Sequence, residues 1–315
     1  YKKVERMADA SYTHSKKETL EDVNSYPILE IKDRKLTLET CEAIGIRTAL
    51  SESDGQTPIA HYFPYYDQQG ELCGYKKRDL TKAKDEKYHF TAIGKVGVDC
   101  KLFGQHVAES VKRKKVTLYI LEGEYDLASA YQAMVENVRD TKYDGLLPFC
   151  VSLQCGTANA VEGVMSNEDF IQGFDNIALG LDNDFATEAD KRKGIKRGKE
   201  ATEDLAAVLM SGNLTLIEYS KGFKDPSDMV VAGKSDELAK LIQFDRKEFI
   251  AEKVVPASSI SKEDFKRKLV TGLMTGTFPK LDSKLNGFRN RELTVVTAPS
   301  NVGKCLGKDT PIMMY

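Results

Sequence analysis

The sequence predicts an α/β chain with a mainly parallel sheet flanked by helices, preceded by a small, basic α+β subdomain. Three observations lead there. From about residue 111 short apolar runs alternate with longer amphipathic stretches, as strand–helix–strand units do. Two of the runs, 116–121 and 176–181, are apolar nearly throughout, as in strands covered on both faces. Residues 60–79 instead hold two runs around Asp67-Gln68-Gln69-Gly70, the pattern of a β-hairpin.

Taken in order, residues 1 to about 30 are polar and are expected to be loosely ordered. Residues 36–44 predict a short amphipathic helix with Thr37 as its cap. The hairpin follows, as strands 60–66 and 72–79. Its second strand opens a basic run of Lys76, Lys77, Arg78, Lys82, Lys84 and Lys87. Strand 116–121 leads to a helix over 124–137, and strand 149–153 to a turn of small residues at 154–158. Strand 176–181 leads to a long helix near 187–211, followed by strand 213–218 and a helix over 234–244. Residues 254–259 read as linker, 262–274 as an amphipathic helix, Asn286-Gly287 as a turn and 293–297 as a strand. The expected organisation is a basic α+β subdomain over 1–110, the α/β domain over 111–245 and a linker over 246–260. A further domain starts over 261–304, and a distinct segment fills 305–315.

The 315 residues suit about two domains at roughly 150 residues each. At 41% hydrophobic and 30% charged residues the composition is neither disordered nor membrane-like. No apolar run approaches the roughly 20 residues of a membrane helix, and no signal peptide opens the chain, so no membrane partner is expected. A formal net charge of −2 means that any nucleic-acid contact needs a local basic patch. None of the six cysteines forms Cys-x-x-Cys, which argues against a zinc ribbon and for a reducing cytoplasm. The chain opens on Tyr1 and closes on Tyr315, and is expected to be a fragment.

Three acidic clusters carry the chemistry: Glu122-Gly123-Glu124-Tyr125-Asp126, Asp182-Asn183-Asp184, and Asp225 with Asp228. The first two follow predicted strands. Carboxylates crowded at strand ends repel one another unless a divalent cation sits between them, so the pattern points to Mg²⁺-dependent phosphoryl transfer. Taken singly, an Asp-x-Asp after a strand is also the mark of a helix cap beside a solvated charge. Asp126 and Glu124 read as capping or structural acids. The basic run from Lys76 reads either as a solvated edge or as a phosphate-holding wall. The cations at 191–193, 196, 197 and 199 read either as a solvated face or as a path for single-stranded template. His14, His61, His89 and His106 show no ligand spacing and read as structural.

Glu-Gly at a strand end with Asp-x-Asp about 60 residues later resembles the TOPRIM signature of primases, topoisomerases and some nucleases. Over nearly its whole length the chain resembles the fused primase–helicases of T-odd bacteriophages. The matching segments are 35–46, 60–79 with Tyr75-Lys76-Lys77-Arg78-Asp79, Leu102-Phe103-Gly104, 121–126, Val151-Ser152-Leu153 with Gly156, 181–184, Lys224-Asp225, Lys280-Leu281-Asp282 with Asn286-Gly287, and 292–304. The resemblance implies a TOPRIM fold followed by the start of a RecA-like helicase domain. It implies that Glu122, Asp182 and Asp184 hold Mg²⁺ (or Mn²⁺), with Asp225 completing the set, and that Glu122 also serves as base for the attacking hydroxyl. Lys76, Arg78 and Lys82 would hold template or nucleotide phosphates, and these six residues, without Asp225, form the expected catalytic group. The implied partners are single-stranded DNA and nucleoside triphosphates, a hexameric or heptameric ring in the full-length protein, and a replisome polymerase. The implied location is the bacterial cytoplasm.

Residues 298–304 resemble a P-loop, G-x-x-x-x-G-K-S/T, with Ala298 in place of the first glycine. Ser300, Asn301, Val302, Gly303 and Lys304 would bind nucleotide phosphates. Cys305 then stands where a hydroxyl should meet Mg²⁺, and a hard cation takes oxygen rather than thiol. The continuation to Tyr315, with Gly307 and Pro311, does not suit a helix. It resembles the first block of an intein, in which Cys305 would be the splicing nucleophile; a degenerate P-loop is the alternative.

The resemblance thus implies a primase that makes short RNA primers on single-stranded DNA, joined to an incomplete 5′–3′ helicase. A zinc module of the kind that reads a template trinucleotide in the phage enzymes does not occur in the sequence given. A second expectation is a catalytically weak TOPRIM arm serving DNA binding or ring assembly, as in mitochondrial relatives that have lost the acids. A TOPRIM nuclease or topoisomerase is the third.

Overall fold

The computed structural model describes residues 18–83, 86, 88–183, 197–209, 214–249, 272, 274, 278–285 and 287–288. The described residues up to 249 belong to one compact unit and those from 272 onward to a second. The first unit opens with α1 (Leu20–Asn24), a 3-10 turn (Lys32–Arg34), α2 (Leu38–Ile44), β1 (Arg47–Leu50), β2 (Pro58–Tyr66), β3 (Leu72–Asp79), β4 (Phe90–Gly94) and α3 (Gln105–Ser110). It continues with β5 (Thr117–Leu121), α4 (Glu124–Val138), β6 (Phe149–Ser152), α5 (Ala160–Met165), α6 (Glu168–Gln172), β7 (Asn176–Gly180), α7 (Arg197–Leu209), β8 (Leu214–Leu216), α8 (Pro226–Val231), α9 (Ser235–Gln243) and β9 (Lys247–Glu248).

The strands form two sheets among the described residues. One is antiparallel in the order β1-β2-β3-β4, and the other runs β6-β5-β7-β8-β9. In the second, β5 pairs in parallel with β6 and β7, β7 pairs in parallel with β8, and β9 is antiparallel. This mainly parallel α/β sheet is the architecture that the alternation of runs predicts.

Period-two geometry explains why β5 is apolar from Leu118 to Leu121. Leu118 and Ile120 enter one core with Leu179, Phe149 and Phe174. Tyr119 and Leu121 point the other way into a second core with Leu127, Ala128 and Phe63. Both faces are covered, so no polar alternation survives. The same geometry explains the weak alternation of β2. Ala60 and Tyr62 pack towards Val23, Tyr75 and Ile93, whereas Phe63 and Tyr65 join the core that includes α4. The antiparallel sheet therefore packs through one face onto the helix that follows β5.

Phe63 is completely buried and meets the rings of Phe103 at 5.8 Å and Tyr125 at 5.1 Å, both edge-on. Phe63→Ala is expected to destabilise the unit by about 3–5 kcal/mol, read from urea unfolding midpoints.

The helix and hairpin predictions near the start hold. Thr37 Oγ1 accepts the Thr40 N–H at 3.3 Å, and Gly45 closes α2 with φ +84°. Other expectations are corrected. Residues 18–30 are not loose: Thr19 and Asp22 form a capping box on α1, and Val23 is fully buried. Their polar surface hides one apolar anchor. The predicted hairpin is the middle of a larger sheet, because β1 and β4 are too short to stand out. Of the strand expected over 213–218, Leu214–Leu216 is paired and 217–218 lie beyond it, with 213 outside the described residues; β9 and α8 emerge where no element was expected. Of the long helix near 187–211, Arg197–Leu209 is helical and the remaining positions lie outside the described residues.

In the second unit Pro279–Leu285 forms α10, where the sequence suggested only a turn to follow. Gly287 takes φ +84°, which suits glycine at that turn. The helix predicted over 262–274 and the strand over 293–297 lie almost wholly outside the described residues. Among the described residues no helix is long and apolar enough to cross a membrane.

Candidate metal centre

β5 and β7 are parallel neighbours in a register that sets Leu121 opposite Gly180. Glu122 and Asp182 therefore emerge together at the carboxyl end of the sheet, where ligands bind in such folds. The Asp182 N–H donates to Glu122 Oε2 at 3.0 Å. Asp225 comes from the loop after β8. It caps α8, accepting the Asp228 N–H at 2.7 Å, and Pro226 follows at the first helical position. The Asn183 N–H donates to the Lys224 carbonyl at 3.1 Å, tying this loop to the end of β7.

Asp126, Asp182 and Asp225 each present a carboxylate oxygen, and the three lie within 4.8 Å of one another. Asp126 sits in the first turn of α4, four residues after Glu122, and also accepts the Gly123 N–H at 3.1 Å. It is both the capping acid that the sequence suggested and a member of the cluster. The signal available was its spacing, since one helical turn carries it back towards Glu122. Asp184 lies outside the described residues, as do Ser300, Asn301, Val302, Gly303, Lys304 and Cys305.

The cluster is electrostatically costly. Burial pushes the Asp182 carboxyl up to about 9, aided by Asp126, Glu122 and Asp225. Burial, then Asp225 and Glu122, push Asp126 up to about 8. Lys224 opposes both shifts, with its Nζ 2.8 Å from Asp225 Oδ2 and 3.9 Å from Asp182 Oδ2. Asp182 Oδ1 is buried without a hydrogen-bond partner. A buried carboxylate oxygen left in this state, among other acids, fits a hard divalent cation, which takes oxygen ligands.

The basic residues divide. Lys76 on β3 reaches Glu124 Oε1 at 2.7 Å and the Gln154 carbonyl at 3.3 Å. Tyr65 O–H donates to the same Glu124 oxygen at 2.6 Å. Lys76 thus stands against the first turn of α4, the helix that carries Asp126. Lys77 faces the other side of the strand and pairs with Glu18 at 2.8 Å. Arg78 is buried, its Nη1 donating to the carbonyls of Asp79 and Lys82. Lys82 lies 3.6 Å from Asp79 Oδ2. Arg78 and Lys82 therefore fasten the turn that follows β3 rather than joining the acids.

His61 Nδ1 lies 2.7 Å from Tyr125 Oη, and His106 Nε2 lies 3.2 Å from the Ile44 carbonyl oxygen. Burial holds both imidazoles down at about 4, against an ordinary value of 6.5. The folded chain keeps them neutral while the unfolded chain takes up protons first. Their contribution to stability is thus expected to fall as pH drops from about 6.5 towards 4. Urea midpoints of wild type and His106→Gln at pH 7 and pH 5 check this, because the acids titrate alike in both chains: wild type should lose ground to the variant at pH 5.

No family model matches the chain's sequence, and no curated protein matches it. Solved structures do match in fold. The primase fragment of the bacteriophage T7 primase-helicase protein is 20% identical, with 75% of this chain and 83% of that chain covered and a TM-score of 0.52. A chain of the complex of T7 lagging-strand DNA polymerase with primase domains bound to an RNA/DNA hybrid and dTTP is 21% identical. There 74% of this chain and 98% of that chain are covered, with a TM-score of 0.54. The likeness is one of fold, and it is the TOPRIM-type α/β fold.

Proposed function

We propose that this chain is the primer-synthesising part of a DNA primase–helicase, acting as a nucleotidyltransferase on a single-stranded DNA template. One observation carries the reading: in a primase-type fold, acids from three separate segments bring carboxylate oxygens within 4.8 Å of one another, and one of these acids, Asp182, keeps its Oδ1 buried without a hydrogen-bond partner. Glu122, Asp126, Asp182 and Asp225 would hold Mg²⁺, with Asp184 as a further candidate. When bound, the cation supplies charge neutralisation at the nucleotide phosphates and activation of the 3′-hydroxyl. Glu122 orients Asp182 by accepting its backbone N–H, and it is the nearby carboxylate suited to take the hydroxyl proton. Lys224 lowers the repulsion within the cluster. Lys76, on the wall above α4, is the cation placed to meet triphosphate oxygens once Glu124 yields it.

In this reading 1–110 and 111–245 serve as one primase unit. The segment 261–304 begins a helicase motor whose nucleotide loop is interrupted after Lys304 by an intein starting at Cys305. Single-stranded DNA, nucleoside triphosphates, a ring of like chains and a replisome polymerase are the partners.

The test is synthesis of short RNA on single-stranded DNA from nucleoside triphosphates, with Mg²⁺ and with excess chelator. Product in the first case alone supports the reading. Lys224 favours a second reading, because its ammonium already lies within 2.8 Å of Asp225 and could stand in for a cation. The domain would then be a DNA-binding or ring-assembling arm of a helicase. Tight binding of single-stranded DNA with no RNA product under either condition would select that reading.

A further inference from the structure

Gly198 lies in the first turn of α7, a 13-residue helix. Glycine inside a helix is about 1 kcal/mol less favourable than alanine. Its usual excuse is a left-handed backbone, and Gly198 does not have one. Space explains it instead. A Cβ at this position would overlap the Asp182 carbonyl oxygen and lie 3.1 and 3.2 Å from the Asp182 carbonyl carbon and amide nitrogen. All three are backbone atoms, so no flexible side chain can swing aside.

Neither partner can retreat easily. α7 is anchored in the core through Leu205, which is completely buried, and Ala201, both packed in the cluster that includes Leu181. Thr202 Oγ1 donates to the Gly198 carbonyl at 2.7 Å, closing the turn. On the other side the end of β7 is pinned at three points: Tyr219 O–H to the Gly180 carbonyl at 2.7 Å, the Asp182 N–H to Glu122, and the Asn183 N–H to Lys224.

We propose that Gly198 is a positioning residue for the cation site. Its bare Cα lets the first turn of α7 close on the Asp182 backbone, and that contact aims the Asp182 carboxylate at Asp126 and Asp225. The inference rests on the reading of the acid cluster as a cation site. A side chain at 198 displaces the Asp182 backbone, and with it the bond to Glu122. Residues that only orient ligands typically cost about 10–100-fold in metal affinity when changed.

The test is Mn²⁺ titration followed by electron paramagnetic resonance on the wild-type chain, Gly198→Ala, Asp182→Asn and Glu203→Ala. Glu203 is exposed on the same helix, paired with Lys199, and serves as control. Gly198→Ala is expected to bind Mn²⁺ at least about tenfold more weakly with an unchanged far-ultraviolet circular dichroism spectrum, while Glu203→Ala matches wild type. Wild-type affinity in a folded Gly198→Ala, with Asp182→Asn impaired, overturns the role of Gly198 and leaves the cation site standing. A wild-type chain that binds no Mn²⁺ overturns both. If Gly198→Ala does not fold, hydrogen exchange on the wild-type chain decides. Mn²⁺ should protect the amides of 200–205, and unchanged exchange there in the Mn²⁺-bound chain overturns the proposal.

Discussion

Asp182→Ala is expected to lower Mg²⁺-dependent primer synthesis by on the order of 10³-fold or more, with the fold intact. A bound cation stabilises charge in a phosphoryl-transfer transition state by several kcal/mol, and each 1.36 kcal/mol is a factor of ten. Asp182 is central to the cluster. One of its oxygens is buried without a partner, and its backbone is fastened by Glu122. The side chain itself contributes little to folding, because its closest charged neighbours are mostly other acids. The measurement is RNA product per enzyme at saturating nucleotide, with thermal unfolding of both chains as the fold control. Equal product from wild type and variant would remove Asp182 from the chemistry. Asp126→Ala should behave alike, whereas Lys82→Ala, in the turn after β3, should have the milder effect.

The second large effect is on stability. Asp126 and Asp182 titrate at about 8 and about 9 in the folded chain, against an ordinary value of 3.8. Between those limits the folded state binds more protons than the unfolded state, so stability falls as pH rises. The contribution is fully present below about pH 4 and is lost as pH climbs through about 8 to 9. A divalent cation removes the penalty by replacing the protons. Mg²⁺ or Mn²⁺ should therefore raise the melting temperature more at pH 8.5 than at pH 6. At a hundred times the dissociation constant the gain is about 2.7 kcal/mol. In chelator, Asp182→Asn should be more stable than wild type at pH 8.5 by on the order of 2 kcal/mol, and should lose most of the response to cation. A wild-type melting temperature that ignores both pH and cation over this range would contradict the electrostatics.

The sheet was legible in sequence because its strands are covered on both faces. Runs such as 118–121 are apolar at every position, and the acids that end them mark where the sheet meets solvent. Glu122, Asp182 and Asp225 were legible as strand-end and loop acids; the structure brings Asp182 and Asp225 together with Asp126, while Glu122 accepts the Asp182 N–H. Asp126 was not legible as a member of the cluster, since an acid in the first turn of a helix is by default a cap, and here it is a cap as well. The basic wall was only half legible. Lys76 and Arg78 share a strand face, but Arg78 finds backbone carbonyls in the turn up to Lys82, a partnership that no spacing reveals. β1 and β9 escaped notice because they are short edge strands whose pairing is decided by the strand beside them. α1 escaped because one buried valine, Val23, holds it.

The central claim is that these acids share a divalent cation. An anomalous difference map from crystals of the chain soaked in Mn²⁺ tests it most directly. The account predicts a peak enclosed by the carboxylates of Asp126, Asp182 and Asp225, absent in Asp182→Asn crystals treated alike. A map of the wild-type chain with Mn²⁺ elsewhere on the surface but none between those three side chains would contradict it.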